Sequence, residues 1–154
     1  MRLAIQRVTE ARVDIDGVTS GRIQQGLLVL AGLGHGDSEA MFPKVVDKLV
    51  NLRIFADENG NINRSLCDVQ GGLLLVSQFT LYADIRKGRR PSFTNSMPPG
   101  EAQALFARFV DAVKECYTHG PVETGEFGAM MQVHLVNDGP VTIWLDTRDL
   151  GFDR

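Results

Sequence analysis

Two hydroxyl groups and an amide follow directly on an apolar segment near the middle of the chain. Gly71–Val76 is a continuous apolar run, typical of a strand buried on both faces, and it leads into Ser77-Gln78-Phe79-Thr80-Leu81. Polar groups at such a strand end cost about 1–3 kcal/mol each when they are buried without a partner. A bound ligand could satisfy them, and so could neighbouring backbone at a capped strand end. The pattern therefore predicts either a substrate-binding segment or an ordinary polar strand end.

A second polar segment, Asn137-Asp138-Gly139-Pro140-Val141-Thr142, lies near the end of the sequence. Asp-Gly favours a tight turn, so the segment predicts a hairpin with one arm at Met131–Leu135 and the other at Val141–Leu145. Pro140 has no N–H and restricts Gly139 before it, which makes an ordinary turn less suitable. A bond before proline adopts cis at little cost, and a cis bond here would point successive carbonyl oxygens the same way. The sequence leaves the isomer open.

Side chains typical of conventional hydrolases and metalloenzymes are scarce. The histidines, His35, His119 and His134, are scattered with no paired spacing and no cysteine cluster, so we expect no metal site and no cofactor. His134 alternates with apolar neighbours and is predicted to face away from the core of a sheet. Neither G-x-x-x-x-G-K-[ST] nor G-x-S-x-G occurs. Any catalysis should therefore depend on something other than acid–base side chains.

The elements that must position these segments begin with β-structure. Leu3, Ile5 and Arg7 alternate on one face of a predicted first strand. Asp16-Gly17 predicts a two-residue hairpin turn, because both positions tolerate positive φ. Gly26–Ala31 is continuously apolar and predicts a strand buried on both faces.

Two helices are predicted from proline positions and from apolar spacing. Proline is tolerated at the start of a helix, so Pro43 predicts a helix beginning near Phe42. A short strand is expected at Arg53–Ala56, and Ala83–Pro99 is expected to be a loop with a second helix beginning near its end. The apolar stripe of that second helix is predicted to consist of Leu105, Phe106, Phe109, Val110, Val113 and Cys116.

The length of 154 residues, with 44% apolar and 23% charged residues, fits one globular domain. We expect an α/β fold with seven or eight strands and two main helices. Two helices cannot cover both faces of so much sheet, so the sheet should either close on itself, strongly curved or barrel-like, or pack against a second copy of the chain. We therefore expect a homo-oligomer that dimerises through the sheet. The predicted domain is 1–154, and 146–154 is a tail to which no role is assigned.

Charge and cysteine content limit the partners and the compartment. The net charge is −3 and the isoelectric point about 5.6, so no global basic field indicates nucleic acid. Arg86–Arg90 is the local exception, with four positive charges in five positions; such a run is either a solvated loop or a contact to nucleic acid. Two cysteines are too few for a disulfide framework. With no apolar run long enough for a membrane span and no signal peptide expected, we predict a cytoplasmic protein without a membrane partner.

Together, the two polar segments resemble the paired signature motifs of the D-aminoacyl-tRNA deacylases, also called D-tyrosyl-tRNA deacylases. Each motif is short, but both occur in order, at the expected separation, in a chain of matching length. Four further segments are similar to family sequence, namely Gln6–Thr9, Leu52–Phe55, Arg90–Phe93 and Thr124–Ala129.

The resemblance implies a homodimeric hydrolase that cleaves the ester between a D-amino acid and the 3′-terminal adenosine of tRNA. The active sites would lie at the dimer interface, where Gly139 and Pro140 would reach across from the other subunit as a cis pair. Their backbone oxygens would hold the α-amino group and leave no room for an L side chain. L-Aminoacyl-tRNA should therefore be rejected, whereas glycyl-tRNA should pass, because glycine has no side chain.

The same resemblance implies roles for individual residues. Ser77, Gln78, Phe79 and Thr80 would form the catalytic segment, and the 2′-hydroxyl of the terminal adenosine would help water attack. Backbone N–H groups near Phe79 and Thr80 would stabilise the oxyanion. No base is evident for Thr80, so a positioning role is preferred to a nucleophilic one. Arg7 would brace the Gly-Pro segment. Candidates for the adenine pocket are Phe127, Gly128 and Met131.

Two alternatives remain open from the sequence. One is a non-catalytic nucleic-acid-binding dimer that uses Arg86–Arg90; it predicts binding that falls steeply with salt and no ester cleavage. The other is a small-molecule esterase with Thr80 as nucleophile, which Thr80→Ala would inactivate and tRNA would not affect.

Overall fold

The computed structural model describes residues 1–152, which form eight strands and three α-helices in one α/β fold. Asp153 and Arg154, the last two residues of the predicted tail, lie outside the described residues. The strands are β1 (Arg2–Ile15), β2 (Val18–Ile23), β3 (Gly26–Gly32), β4 (Phe55–Ala56), β5 (Ile62–Arg64), β6 (Gly72–Ser77), β7 (Val122–Thr124) and β8 (Gln132–Asp146). The helices are α1 (Phe42–Asn51), α2 (Leu66–Val69) and α3 (Pro99–Cys116).

The long strand β1 organises the main sheet. It pairs antiparallel with β2 and β3 on one edge, and the other edge pairs antiparallel with β8. Beyond β3 the order continues through β6 and β7, both joined by parallel pairing. The sheet curls so far that the Ser20 hydroxyl on β2 donates to the Thr124 carbonyl on β7 at 3.3 Å. The predicted barrel-like sheet with two main helices is confirmed.

The predicted hairpin at the second polar segment is wrong. Its two arms do not pair with each other, because both lie in β8 and pair with β1 in one direction. Leu145 lies opposite Leu3, and Leu135 lies opposite Ala11. The reason is that β1, at 14 residues, is long enough to supply hydrogen-bond partners to both arms. Residues 138–141 leave the ladder where β1 offers only Arg7 opposite them, and we call this segment the β8 excursion.

The side chain of Asn137 closes the base of the β8 excursion. Its Oδ1 accepts from the backbone N–H of Val141 at 2.7 Å, and its Nδ2 donates to the Thr142 hydroxyl at 3.1 Å. An asparagine amide can act as donor and acceptor at once, so it bridges the two ends of the excursion where ladder bonds are interrupted. The chain can thus bulge and resume its pairing with β1.

Both main helices pack against the same apolar core, and they begin where proline predicts. Phe42 of α1 and Phe109 of α3 meet with ring centroids 5.3 Å apart. The predicted apolar stripe of α3 is buried as far as Val113, but Cys116 is exposed, contrary to prediction. The helix ends at Cys116, and the following Tyr117 turns into the core instead, 2% exposed. No helix within residues 1–152 has the length and apolar character needed to cross a membrane.

The first residues of the predicted tail pack against the start of the chain. The Thr147 hydroxyl accepts from the Met1 amino group at 2.6 Å, and the Thr147 backbone N–H donates to the Met1 carbonyl at 3.0 Å. The Asp37 carboxylate accepts hydrogen bonds from the same amino group at 2.5 Å and from the Tyr82 hydroxyl at 3.2 Å. This buried polar cluster fixes the end of β8 beside the start of β1.

Candidate active site

The first polar segment stands where β6 ends and the chain turns away from the sheet. Gln78 makes the last bond to the neighbouring strand, its N–H donating to the Ala31 carbonyl of β3 at 2.8 Å. A single 3₁₀ turn, Phe79–Tyr82, follows immediately. The first N–H groups of a helical turn have no acceptor within that turn. Phe79 and Thr80 therefore present their backbone N–H groups at the end of a rigid, buried strand.

The side chains of Gln78 and Thr80 contact each other directly. The Gln78 amide donates to the Thr80 hydroxyl at 2.5 Å, and Thr80 is otherwise exposed. No histidine, carboxylate or lysine among residues 1–152 is within hydrogen-bond distance of that hydroxyl. The amide can fix the orientation of the hydroxyl, but it cannot remove its proton.

A cavity of about 670 Å³ opens beside this strand end. Its walls are the end of β6, the loop at residues 93–98, the first turns of α3 and the segment at residues 127–131. Aromatic rings shape it: Phe79 meets Phe93 edge-on at 5.0 Å, and Phe127 packs against Phe106 at 6.1 Å. The cavity has the size and the largely apolar lining of a small-molecule site. Six predicted site residues line it, namely Ser77, Gln78, Phe79, Phe127, Gly128 and Met131.

The other predicted site residues do not line this cavity. Thr80 lies just outside it, and Gly139 and Pro140 belong to the β8 excursion together with its partner Arg7. The peptide bond between Gly139 and Pro140 is cis, and both residues are exposed. Within one copy of the chain, the two polar segments thus form separate surfaces.

Arg7 connects the β8 excursion to the body of the fold. Its Nε donates to the Asp138 carbonyl at 2.8 Å, and its Nη1 donates to the Ile54 carbonyl at 2.6 Å. The carboxylate of Asp138 lies 3.6 Å from the same Nε. One planar guanidinium group therefore holds two backbone segments at a fixed separation.

Two cavity residues, Phe93 and Ser96, received no role from the sequence. Phe93 falls in a segment that resembles the family, Arg90–Phe93, so the sequence could have indicated a role for it. Ser96 donates through its hydroxyl to the Phe79 carbonyl at 3.2 Å, across 17 positions of sequence. No local pattern reports such a long-range bond, and only the folded chain shows that the loop supports the strand end.

The titratable groups of the described residues do not converge on the Thr80 hydroxyl. No three or more His, Cys, Asp or Glu side chains within residues 1–152 are grouped so as to hold a metal ion. His134 faces solvent as predicted, with Nε2 at 3.3 Å from the Asp14 carboxylate. A hydrogen bond from Arg86 lowers the pKa of Asp84 to about 2, so that carboxylate is ionised at any ordinary assay pH. None of these groups contacts the Thr80 hydroxyl.

Residues 4–146 match the family model described as D-Tyr-tRNA(Tyr) deacylase. Proteins named D-aminoacyl-tRNA deacylase are similar over almost their full length. The one from Thermosipho africanus is 55% identical over 148 residues, which is 96% of this chain and 98% of the relative. The one from Ectopseudomonas mendocina is 55% identical over 95% of this chain and 99% of the relative. The one from Bacillus pumilus is 52% identical over 97% of this chain and its whole length.

Two solved structures share the fold. A structure described as "c-Myc DNA Unwinding Element Binding Protein" superposes with a TM-score of 0.90 at 39% identity, covering 95% of this chain and 98% of its own. A second, described as a probable eukaryotic D-amino acid tRNA deacylase, has a TM-score of 0.77 at 20% identity, covering 94% and 97%. The second likeness concerns the fold alone.

Proposed function

Since this chain belongs to the D-Tyr-tRNA(Tyr) deacylase family and is a hydrolase of the ester bond in D-aminoacyl-tRNA, we propose that the ester is cleaved at the end of β6, between Ser77 and Thr80. The observation that carries this proposal is the opening of that strand end into the cavity of about 670 Å³. The terminal adenosine would occupy the cavity, against Phe127, Gly128 and Met131. The amino acid would extend past Phe79 toward solvent.

The chemistry proposed for this site uses the substrate and the backbone. Water adds to the ester carbonyl, the N–H groups of Phe79 and Thr80 stabilise the oxyanion, and the 3′-oxygen leaves with a proton. The 2′-hydroxyl of the adenosine assists the water. Two observations support this assignment: Phe79 and Thr80 are the first residues of a helical turn, and no basic side chain contacts Thr80 within residues 1–152. Gln78 orients the Thr80 hydroxyl, which acts in positioning.

Selection for the D configuration is proposed to come from Gly139 and Pro140 of a second subunit. Their backbone oxygens hold the α-amino group and occupy the space that an L side chain would need, so L-aminoacyl-tRNA is rejected by exclusion. Glycyl-tRNA has no side chain to exclude and is cleaved. Support comes from position: both residues are exposed on the β8 excursion and do not line the cavity of their own chain.

A homodimer through the sheet would bring these surfaces together. Among residues 1–152, β8 pairs with β1 along one edge only, and it carries exposed apolar side chains at Val133, Val136 and Trp144. A long strand with a free edge and exposed apolar residues is stabilised when a second chain covers it. The covered surface would include the β8 excursion, as the proposed site requires. A cytoplasmic location is proposed from the substrate, a charged tRNA.

The proposal is tested by hydrolysis of D-tyrosyl-tRNA and L-tyrosyl-tRNA in parallel, without added metal. We expect loss of the D ester alone, with glycyl-tRNA also cleaved. Cleavage of both stereoisomers would overturn the exclusion by Gly139 and Pro140 while leaving the ester site in place. Cleavage of neither would overturn the proposed site.

The alternative of a purely nucleic-acid-binding protein does not agree with the family, whose curated members are deacylases. Binding of DNA would be an additional property, and the reason to test it is that one similar structure is described as a DNA-unwinding-element binding protein. Adding an excess of duplex DNA to the hydrolysis assay tests whether DNA binding replaces ester cleavage or only accompanies it. We expect kcat for D-tyrosyl-tRNA to stay the same, with any effect of the DNA confined to KM.

A further inference from the structure

The basic run at Arg86–Arg90 forms the tip of a closed loop. Asp84 and Ser92 exchange both backbone hydrogen bonds, at 2.8 Å and 2.9 Å, so the chain between them returns on itself. Gly88 has φ +69°, a conformation that side chains rarely allow, and it reverses the chain at the tip. The charges are therefore held together at one projecting point.

Arg86 differs from its three basic neighbours. It folds back on Asp84, with Nη2 and Nε donating to the carboxylate at 2.6 Å and 2.9 Å, so its charge is neutralised within the loop. Lys87, Arg89 and Arg90 are exposed, and no acidic group within residues 1–152 pairs with them. Cations that stay unpaired in a chain of net charge −3 are available to an external anion.

The same loop is attached to the rim of the cavity. Phe93, directly after the closing residue Ser92, packs against Phe79 at 5.0 Å. The Ser96 hydroxyl donates to the Phe79 carbonyl at 3.2 Å, and His35 Nε2 contacts the Thr94 carbonyl at 2.9 Å. The tip is thus positioned relative to the place where the terminal adenosine is proposed to bind.

We propose that Lys87, Arg89 and Arg90 form a phosphate-binding tip that contacts the acceptor-stem backbone of the tRNA while its terminal adenosine occupies the cavity. This inference rests on the proposed function and adds to it how the body of the substrate is held. Contacts to phosphates carry no sequence information, so the tip binds different tRNAs equally well. It orients the acceptor end and takes no part in the chemistry.

The test compares two variants with equal loss of charge. One is Lys87→Gln/Arg89→Gln/Arg90→Gln, and the control is Lys44→Gln/Lys48→Gln/Lys114→Gln, which neutralises three exposed lysines on α1 and α3. Each is assayed on D-tyrosyl-tRNA and on D-tyrosyl-adenosine, which carries the same ester but no stem. Binding of uncharged tRNA is measured separately.

We expect the tip variant to raise KM for D-tyrosyl-tRNA about tenfold at about 0.1 M salt, with kcat nearly unchanged. Three lost phosphate contacts should also reduce the slope of log(kcat/KM) against log[salt] by about 2 to 3, at roughly 0.7–0.9 per contact. Cleavage of D-tyrosyl-adenosine should not change, and the control variant should behave like the wild type on both substrates.

Equal losses in the tip and control variants would overturn the inference, since the effect would then be one of net charge. Equal losses on D-tyrosyl-tRNA and D-tyrosyl-adenosine would also overturn it, since the loop would then only support the cavity. If the wild type cleaves neither ester, the proposed function fails. The binding of uncharged tRNA then tests the phosphate-binding tip. A Kd about tenfold weaker for the tip variant than for the wild type would support the tip, and an unchanged Kd would overturn it.

Discussion

Arg7 holds Asp138 where the β8 excursion leaves its partner strand, with Nε donating to the Asp138 carbonyl at 2.8 Å. The same guanidinium group donates to the Ile54 carbonyl at 2.6 Å. The position of Gly139 and Pro140 is therefore set by a side chain on β1, which lies 131 residues before Asp138 in the chain. Replacing Arg7 should move the Gly-Pro segment while leaving its own residues unchanged.

Arg7→Lys should disturb the β8 excursion, because one ammonium group cannot serve two carbonyls in the fixed geometry of the guanidinium group. A carbonyl left without a donor costs about 1–3 kcal/mol, and we expect the free energy of unfolding to fall by about that much. Cleavage of D-tyrosyl-tRNA should slow about tenfold, and the ratio of D to L cleavage should decrease. Urea unfolding and the two hydrolysis rates measure these effects.

Arg12→Lys is the matched control, since Arg12 lies on the same strand and pairs at the surface with the Asp14 carboxylate at 3.1 Å. Its stability should change by less than about 0.5 kcal/mol. An unchanged D-to-L ratio in Arg7→Lys would show that Arg7 does not position Gly139 and Pro140.

Gly139→Ala should lower both stability and activity. Gly139 has φ +138°, and an added Cβ would lie 2.9 Å from Val141 Cγ2 and 3.0 Å from Arg7 Nη2. We expect a cost of about 1–3 kcal/mol in unfolding free energy and at least roughly a tenfold loss in D-tyrosyl-tRNA cleavage. Gly17→Ala, at φ +78° with nothing within 4 Å, is the control for backbone strain alone. It should lose stability and keep its activity.

Thr80→Val should remain an active enzyme. The change removes the hydroxyl that accepts from Gln78 at 2.5 Å, while it preserves the shape of the side chain. A hydrogen bond contributes about 0.5–1.5 kcal/mol, so kcat should fall roughly 3- to 10-fold. Single-turnover hydrolysis of D-tyrosyl-tRNA measures this, and a substrate ending in 2′-deoxyadenosine should not be cleaved by either protein. Complete inactivity of Thr80→Val would favour the nucleophilic alternative.

Tyr117 should make stability depend on pH at the alkaline end. Its hydroxyl donates to the Gly71 carbonyl at 2.5 Å, and burial raises the pKa of Tyr117 from 10.0 to about 12. Because the folded state favours the neutral phenol, its contribution is complete below about pH 10 and is lost as pH rises toward about 12. Unfolding free energies measured from about pH 8 to about pH 11.5 should fall above about pH 10.

Tyr117→Phe isolates this effect. Its stability at about pH 8 should be lower by about 1–3 kcal/mol, because the Gly71 carbonyl loses its donor. The alkaline decrease should be smaller than in the wild type. An identical decrease in both proteins would assign the pH dependence to other groups.

Local signals predicted the elements that depend on neighbours in sequence. Pro43 placed the start of α1, the apolar run placed β6, and Asp16-Gly17 placed the first turn, where both residues have positive φ. The hairpin at Asn137–Thr142 failed because the strongest local turn signal competes with a distant partner. A 14-residue β1 offers both arms more hydrogen bonds than they can offer each other.

The candidate site, too, was predicted in part from local sequence and decided in part by contacts that are distant in sequence. The sequence alone predicted which segments carry chemistry, since the paired polar motifs can be recognised from residue types and order. Their roles stay predictions. Only the tertiary structure decided that Phe93 and Ser96 complete the cavity around Phe79, and that the β8 excursion lies against Arg7 and apart from its own cavity. The physical reason is that strand and helix preferences are local, whereas a cavity and a bulge are defined by contacts between residues far apart in the chain.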